Sequence, residues 1–303
     1  MIKNNVIWNI TKVCPWKCDF CCIGAKYISP NSSNLSKRIN LLKNNQVELG
    51  LEHKLAIIDN LDSKMLKFDF SGGDPLFIPE NMDVLENLSK KFGAENISLT
   101  STSVGLRTLK TEKAKEFIGR IEFTYDYHND NYSLRPKGYN EENLTEARRF
   151  AKNGMNTLAQ IPLTKFNISG ESIEKIYQRL SEAKIGKILL LKFSDSGRGR
   201  FYKDCEITPK EFKKATKRYK EFCKQEKGPK ITTQIFGDKI IRSLNITNKG
   251  LLLSNPWAYN PDGNPKEYAI MGDLKKQRLS EICGKNPLEI SIRQIWRNMK
   301  HGK

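Results

Sequence analysis

The sequence predicts an α/β protein whose strands pair in parallel, and three observations carry that expectation. Short apolar runs of strand character alternate with longer amphipathic stretches, giving six strand-then-helix units in about 225 residues. That alternation implies parallel pairing with right-handed crossovers. At 303 residues the chain is long enough to bury a full core. No apolar run approaches the ~20 residues that a membrane span requires. Six units rather than eight suggest a partial (β/α)6 TIM-like barrel, although alternation alone does not separate it from a doubly wound flat sheet. In either case ligands sit at the carboxyl ends of the strands. The expected organisation is a (β/α)6 domain over residues 1–228 and a small, cysteine-poor α+β extension over 229–303.

Periodicity supports each element in turn. Val6 to Thr11 reads as the first strand. A helix is expected from Leu35 to Leu61, with Leu35, Ile39, Leu42, Leu51, Leu55 and Ile58 at helical spacing. Leu66 to Phe70 is a strand, residues 80–92 a helix with Met82, Leu85 and Leu88 inward, and Asn96 to Ser101 the third strand. A short helix over 111–118 leads to the strand Ile121 to Asp126, and the helix over 140–153 is closed by Gly154. Thr157 to Leu163 and Lys187 to Phe193 are the fifth and sixth strands, separated by a helix over 171–184. The helix over 208–226 opens on Thr208-Pro209, a capping residue followed by proline in the first turn. Beyond it come strand-like runs at Ile231 to Phe236, Ile240 to Ile246 and Leu251 to Leu253, a turn-rich loop over 255–263, and a final helix from Leu288 to Met299.

Charge sets a bias on partners. The net charge is +18, from 52 Lys+Arg against 34 Asp+Glu. Such a field draws in an acidic partner. The basic residues are spread rather than clustered, and Lys213-Lys214-Ala215-Thr216-Lys217-Arg218 reads as the solvated face of a helix, so nucleic acid is not the expected partner.

The chemical signal is Cys14-Pro15-Trp16-Lys17-Cys18-Asp19-Phe20-Cys21, a C-x3-C-x2-C run directly after the first strand. Three thiolates in eight residues are one short of the four that a closed zinc site or an ordinary electron-transfer cluster needs. A cubane of four irons on three cysteines keeps one iron open to an outside ligand. A zinc knuckle lacks its fourth ligand here: Cys22 is adjacent to Cys21, and His53 lies beyond an expected helix. Disulfides are disfavoured because no secretory signal precedes the cysteines, and the expected compartment is the reducing cytoplasm.

The motif and the strand before it resemble the radical S-adenosylmethionine (radical SAM) superfamily. The resemblance implies a [4Fe-4S] cluster on Cys14, Cys18 and Cys21, with S-adenosyl-L-methionine (SAM) bound through its amino and carboxylate groups to the open iron. It implies the partial barrel as well, and a one-electron reductant such as flavodoxin or ferredoxin. Phe20 matches the aromatic that precedes the third cysteine. Ser71-Gly72-Gly73-Asp74-Pro75 closes the second strand about fifty residues later, where the family's Gly-Gly-Glu-Pro segment contacts the amino group of the methionine moiety. Here Asp74 is one methylene shorter. Thr102 and Ser103 follow the third strand, where the family places polar groups against the ribose. Asp126 matches the end of the fourth strand and a ribose hydroxyl, and Arg135 the SAM carboxylate or substrate. Gln160 flanks the fifth strand and Arg198 lies in a Gly-Arg pair after the sixth, near adenine and substrate.

The remaining candidates concern substrate. Cys205, on the mouth side after the sixth strand, is a candidate hydrogen-atom donor, and His128 a candidate acid or base. Cys223 lies on the apolar face of its helix with Phe212, Ala215, Tyr219 and Phe222, which points to packing. Gly272-Asp273-Leu274 and Leu279-Ser280-Glu281-Ile282 resemble the SPASM tail of peptide-modifying radical SAM enzymes, but only Cys205, Cys223 and Cys283 follow residue 200, too few for auxiliary clusters. The expected activity is therefore formation of a 5′-deoxyadenosyl radical that abstracts hydrogen from a ribosomally made peptide. A small-molecule substrate (nucleotide, sugar or cofactor precursor) and a non-enzymatic metal module on nucleic acid are the alternatives.

Overall fold

A computed structural model of the chain describes residues 4–127, 134–225, 228–234 and 243–283. The helix expected from Leu288 to Met299 and the candidate His128 lie outside these residues.

Alternation within the strands builds the architecture. In β1 (Asn4–Thr11), Val6, Trp8 and Ile10 point into the main core, while Asn5 and Asn9 point to the opposite face. Two short strands, β2 (Val13–Cys14) and β3 (Lys26–Tyr27), pair in parallel and pinch the loop between them. The sheet continues with β4 (Leu66–Gly72), β5 (Ile97–Thr100), β6 (Arg120–Thr124), β7 (Thr157–Leu163), β8 (Lys187–Lys192), β9 (Lys230–Gln234), β10 (Ser243–Ile246), β11 (Leu251–Leu253) and β12 (Ile270–Asp273). Its order is β12-β11-β10-β1-β4-β5-β6-β7-β8-β9. Neighbours from β10 through β9 in that order are parallel; β11 and β12 add antiparallel strands at one edge. The sheet is open, since β9 and β12 stand at opposite ends.

Helices cover the apolar face. Among the described residues they are α1 (Leu35–Asn44), α2 (Leu51–Asn60), α3 (Asn81–Phe92), α4 (Ser103–Thr108), α5 (Thr111–Phe117), α6 (Tyr139–Lys152), α7 (Gly170–Glu182), α8 (Pro209–Gln225) and α9 (Leu279–Cys283). Ile57, Ile58, Val84, Leu85 and Leu88 pack under β1, β4 and β5; Ile173, Ile176, Tyr177, Leu180 and Tyr219 pack under β6, β7 and β8. Each such large apolar side chain contributes about 1.5–3 kcal/mol on full burial.

The alternating units of a partial TIM-like barrel are thus present, with three differences from the periodicity. The single helix expected over 35–61 is two helices. Asn45 caps the first, Gln46 takes a left-handed turn (φ 55°), and Gly50 opens the second. The break lets Glu48 turn back and accept the Lys12 backbone N–H at 2.7 Å. Helix α4 was not anticipated, because six residues are too few to display a period. The strands after residue 229 join the main sheet: β10 lies parallel beside β1, in register from Asn5↔Ser243 to Trp8↔Ile246.

The other face of the sheet is polar. Across it Thr100 donates to Asp69 (2.6 Å), Gln160 to Glu122 (2.8 Å) and Ser71 to Asn9 (3.2 Å). Burial, reinforced by Glu122, pushes the Asp69 carboxyl up to about 8. Asp69 is therefore protonated in the fold and ionised in the unfolded chain between about pH 4 and 8. Stability should then fall as pH rises through that window, by up to about 1.4 kcal/mol per unit. We expect Asp69→Asn to flatten the decline, read from urea midpoints at pH 5 and pH 7.5; equal slopes in the two proteins would refute the assignment.

Candidate functional site

Because the strands from β10 to β9 run the same way, their carboxyl ends share one edge, and the loops there meet. The chain leaves β1, passes through β2 and enters the cysteine loop. β3 brings it back, with the Ile28 N–H donating to the Cys14 carbonyl at 3.0 Å. Cys14 and Cys18 are buried and Cys21 is half-buried, all as free thiols. Burial pushes the Cys14 and Cys18 thiols up. Neighbouring thiols add to this at Cys14, and Arg135 opposes it at Cys18. Cys22 is driven up to about 12 by burial and by Cys21.

Cys18 and Cys21 stand close enough to Cys14 to push its thiol up, and the donor set is soft, as iron–sulfur chemistry requires. Among the described residues, no three His, Cys, Asp or Glu side chains are placed to hold one metal ion. A cubane asks for something different: each cysteine binds a different iron, so its sulfurs stand farther apart than three ligands on one ion. The residues present fit such a group.

The glycine pair positions this loop. At the end of β4 the Gly73 N–H donates to the Thr11 carbonyl (2.7 Å) and the Asp74 N–H to the Val13 carbonyl (2.9 Å). A Cβ on Gly73 would stand 2.2 Å from the Val13 carbonyl oxygen, and one on Gly72 2.4 Å from that of Thr11, while Gly72 has φ 141°. Only glycine allows β4 to approach the strand that delivers Cys14. We expect Gly73→Ala to cost about 2–3 kcal/mol and to reduce iron uptake with it. Urea unfolding with iron analysis checks this, and a variant of unchanged stability would refute it.

Asp74 is fully buried. Its carboxylate accepts from the Ser101 hydroxyl (2.6 Å), the Thr102 hydroxyl and the Gly105 N–H (2.9 Å). Burial pushes this carboxyl up against the pull of those bonds. The side chain thus ties β4 to the start of α4, leaving the backbone of 72–74 as the part at the strand end. Thr102 and Ser103 are spent in the same region: the Thr102 hydroxyl is on Asp74, the Ser103 N–H donates to Asn143 (2.6 Å) and its hydroxyl to Glu142 (3.3 Å).

Arg135 and Asp126 form the charged centre. Arg135 donates to Asp126 Oδ2 from Nε (3.0 Å) and Nη2 (2.8 Å), and its guanidinium lies 4.4 Å from the Phe20 ring centroid and 4.7 Å from that of Tyr139. Asp126 Oδ1 is buried with no hydrogen-bond partner among the described residues, and Asp126 lines a small cleft with Phe20, Tyr127, Leu134, Thr164 and Phe166. An unpaired buried acceptor costs about 1–3 kcal/mol, which a hydroxyl donor entering the cleft recovers.

Arg198 serves the loop itself: it donates to the carbonyls of Cys18 (2.7 Å) and Ala25 (2.8 Å), and its N–H to that of Cys21 (3.0 Å). Gln160 lies deeper, on Glu122 and Thr100. Cys205 is buried beside Lys165 and Asp204, and burial pushes its thiol up, so it stays protonated. His128 lies outside the described residues.

Tyr259, inside the turn-rich loop over 255–263, is a site residue that no motif marks. Its hydroxyl donates to Asn245 (2.6 Å) and accepts from Asn9 (3.0 Å), while its carbonyl accepts the Gly197 N–H (3.2 Å). The loop after β11 thereby bridges β1 and β10 to the loop after β8. Nearby, Lys12 donates to the Gly263 carbonyl. A tyrosine among turn formers carries no periodicity from which this contact can be read.

No protein-family model matches the sequence, and no curated protein matches it. Solved structures do. SuiB of Streptococcus suis bound to S-adenosylmethionine superposes with a TM-score of 0.62 at 13% identity, over 95% of this chain and 67% of SuiB. SuiB bound to its precursor peptide SuiA gives 0.60 at 13% identity, over 96% and 67%. Coproporphyrinogen III oxidase (HemN) from Escherichia coli, a radical SAM enzyme, gives 0.52 at 12% identity, over 74% of this chain and 53% of the oxidase. The fold of this chain is that of radical SAM enzymes.

Proposed function

We propose that this protein is a radical SAM enzyme acting on a ribosomally made peptide, with a [4Fe-4S] cluster on Cys14, Cys18 and Cys21. The observation that carries the reading is the buried Asp126 Oδ1, unpartnered among the described residues, on a residue that lines a cleft shared with Phe20 of the three-thiol loop. When bound, the cluster supplies the electron that splits SAM into methionine and a 5′-deoxyadenosyl radical, the agent that takes hydrogen from substrate.

The chain's own residues bind, orient and shield. Asp126 Oδ1 accepts a ribose hydroxyl, and the Phe20 ring offers an apolar wall to the nucleoside. Arg135, already fixed by Asp126 and two rings, faces the SAM carboxylate as a charge-assisted donor. The backbone of Gly72, Gly73 and Asp74 presents its carbonyl groups to the SAM amino group. Arg198 holds the cysteine loop closed through two carbonyls.

Two observations favour a peptide. The likeness to peptide-bound SuiB extends over 96% of this chain. The charge of +18 suits an acidic leader segment and an acidic electron donor such as flavodoxin or ferredoxin. Among the described residues no helix is long and apolar enough to cross a membrane.

Anaerobic reconstitution followed by reduction in the presence of SAM tests the reading. The expected result is release of 5′-deoxyadenosine, and a mass change in an acidic precursor peptide encoded beside the chain. Iron-replete protein that releases no 5′-deoxyadenosine would overturn it. Release that accompanies turnover of a small molecule but leaves every such peptide intact would overturn the peptide assignment alone.

A further inference from the structure

Trp16 lies inside the motif, between Cys14 and Cys18. Its ring meets Tyr139 edge-on (centroids 5.3 Å apart, planes at 84°) and packs into the apolar group formed by Cys14, Ile23, Ala25, Leu253 and Tyr259. The indole nitrogen Nε1 is buried there with no hydrogen-bond partner among the described residues. Indole N–H is a donor only, and buried indoles in folded proteins ordinarily find an acceptor.

Several carbonyls of the cysteine loop are committed elsewhere. The Cys18 and Ala25 carbonyls take Arg198, the Cys21 carbonyl takes the N–H groups of Gly24 and Arg198, and the Cys22 carbonyl takes the Ser196 hydroxyl. The sulfurs of Cys14, Cys21 and Cys22 belong to the same apolar group as the indole, and of these Cys21 already accepts the Ala25 N–H at 3.3 Å. A thiol accepts weakly, whereas a thiolate or an inorganic sulfide carries the charge that a buried N–H lacks here.

We propose that the Trp16 indole N–H donates a hydrogen bond to a sulfur of the cluster held by Cys14, Cys18 and Cys21, and so makes that cluster easier to reduce. The inference rests on the cluster reading above. Reduction adds negative charge that spreads over the sulfurs, so a donor aimed at one of them stabilises the reduced state more than the oxidised one. The donor is neutral and shielded, so its effect is directional and persists at high salt, unlike that of a surface lysine. Trp16 thereby tunes the electron transfer without touching SAM.

The test uses the full chain, reconstituted anaerobically and without SAM. Trp16→Phe keeps an aromatic ring in the apolar group and removes the indole N–H together with the five-membered half of the bicycle; replacing Trp16 by its benzothiophene analogue keeps the bicycle and removes only the N–H. The expected result is unchanged iron and sulfide content, a midpoint potential shifted negative in an EPR-monitored titration, and loss of an exchangeable-deuteron coupling that the unmodified protein shows in deuterated buffer. Equal potentials and equal couplings in the two proteins would overturn the proposal. Should the variant fail to fold, pulsed EPR on the unmodified chain with 15N-indole tryptophan decides: a nitrogen coupling to the reduced cluster supports the proposal and its absence overturns it. A chain that assembles no four-iron cluster at all removes the cluster reading and this inference with it; a cluster without indole coupling removes this inference alone.

Discussion

Cys18→Ala is expected to strip the reconstituted protein of its four-iron absorbance and EPR signal, and to bring 5′-deoxyadenosine release down to the no-enzyme background. Cys18 is buried, its carbonyl is clamped by Arg198, and its thiol stands beside Arg135, so no other sulfur can be brought to that corner without moving the loop. Two cysteines leave a cubane with two unprotected irons, which is not a stable ligand set. Cys22 is the neighbour best placed by sequence to substitute, yet burial and Cys21 drive its thiol far toward the protonated form. Cys223→Ala is the matched control. That residue packs beside the α7–α8 core with Phe222 and Phe212, so its loss should cost stability of about 1 kcal/mol and no iron. Full iron occupancy in Cys18→Ala would end the three-cysteine assignment.

Arg135→Leu carries the second large effect, on stability as well as activity. The guanidinium and the Asp126 carboxylate are 10% and 5% exposed, and the pair is joined by two hydrogen bonds to one oxygen. Removing the cation leaves a buried carboxylate with neither oxygen neutralised, a loss of about 3–5 kcal/mol. Urea unfolding of the unloaded protein measures it. The double variant Arg135→Leu/Asp126→Leu should recover much of the loss, because the orphaned charge is gone, while 5′-deoxyadenosine release stays abolished. A single variant that loses less than about 1 kcal/mol would show that the pair is not the buried anchor described here.

Much of the fold is legible in the chain because its signals are local. β1 declares itself by Val6, Trp8 and Ile10 alternating with Asn5 and Asn9, and α7 by Ile173, Ile176, Tyr177 and Leu180 on one face with Ser169 as its capping acceptor. The break between α1 and α2 was hidden because apolar residues at helical spacing occur on both sides of it, and a single left-handed residue at Gln46 outweighs that pattern. The site divides in the same way. The cysteine loop and the Gly72-Gly73 pair can be read from spacing. The partners of Asp74, Thr102 and Arg198 cannot, since a motif position names a residue but not the direction its side chain takes.

The sequence by itself determined the soft three-sulfur donor set, the glycines that follow the next strand, and the alternation that makes the strands parallel, because each depends on residues within a few positions of one another. Only the tertiary structure decided that Arg198, 180 residues from Cys18, closes the cysteine loop, that β10 lies against β1, and that Asp126, which lines a cleft beside Phe20, keeps one buried oxygen without a partner among the described residues. These contacts join segments that are far apart along the chain, and no local period encodes them. They form when the burial of the apolar sheet face brings the strand ends to one edge, where the leftover polar groups must find partners or wait for a ligand.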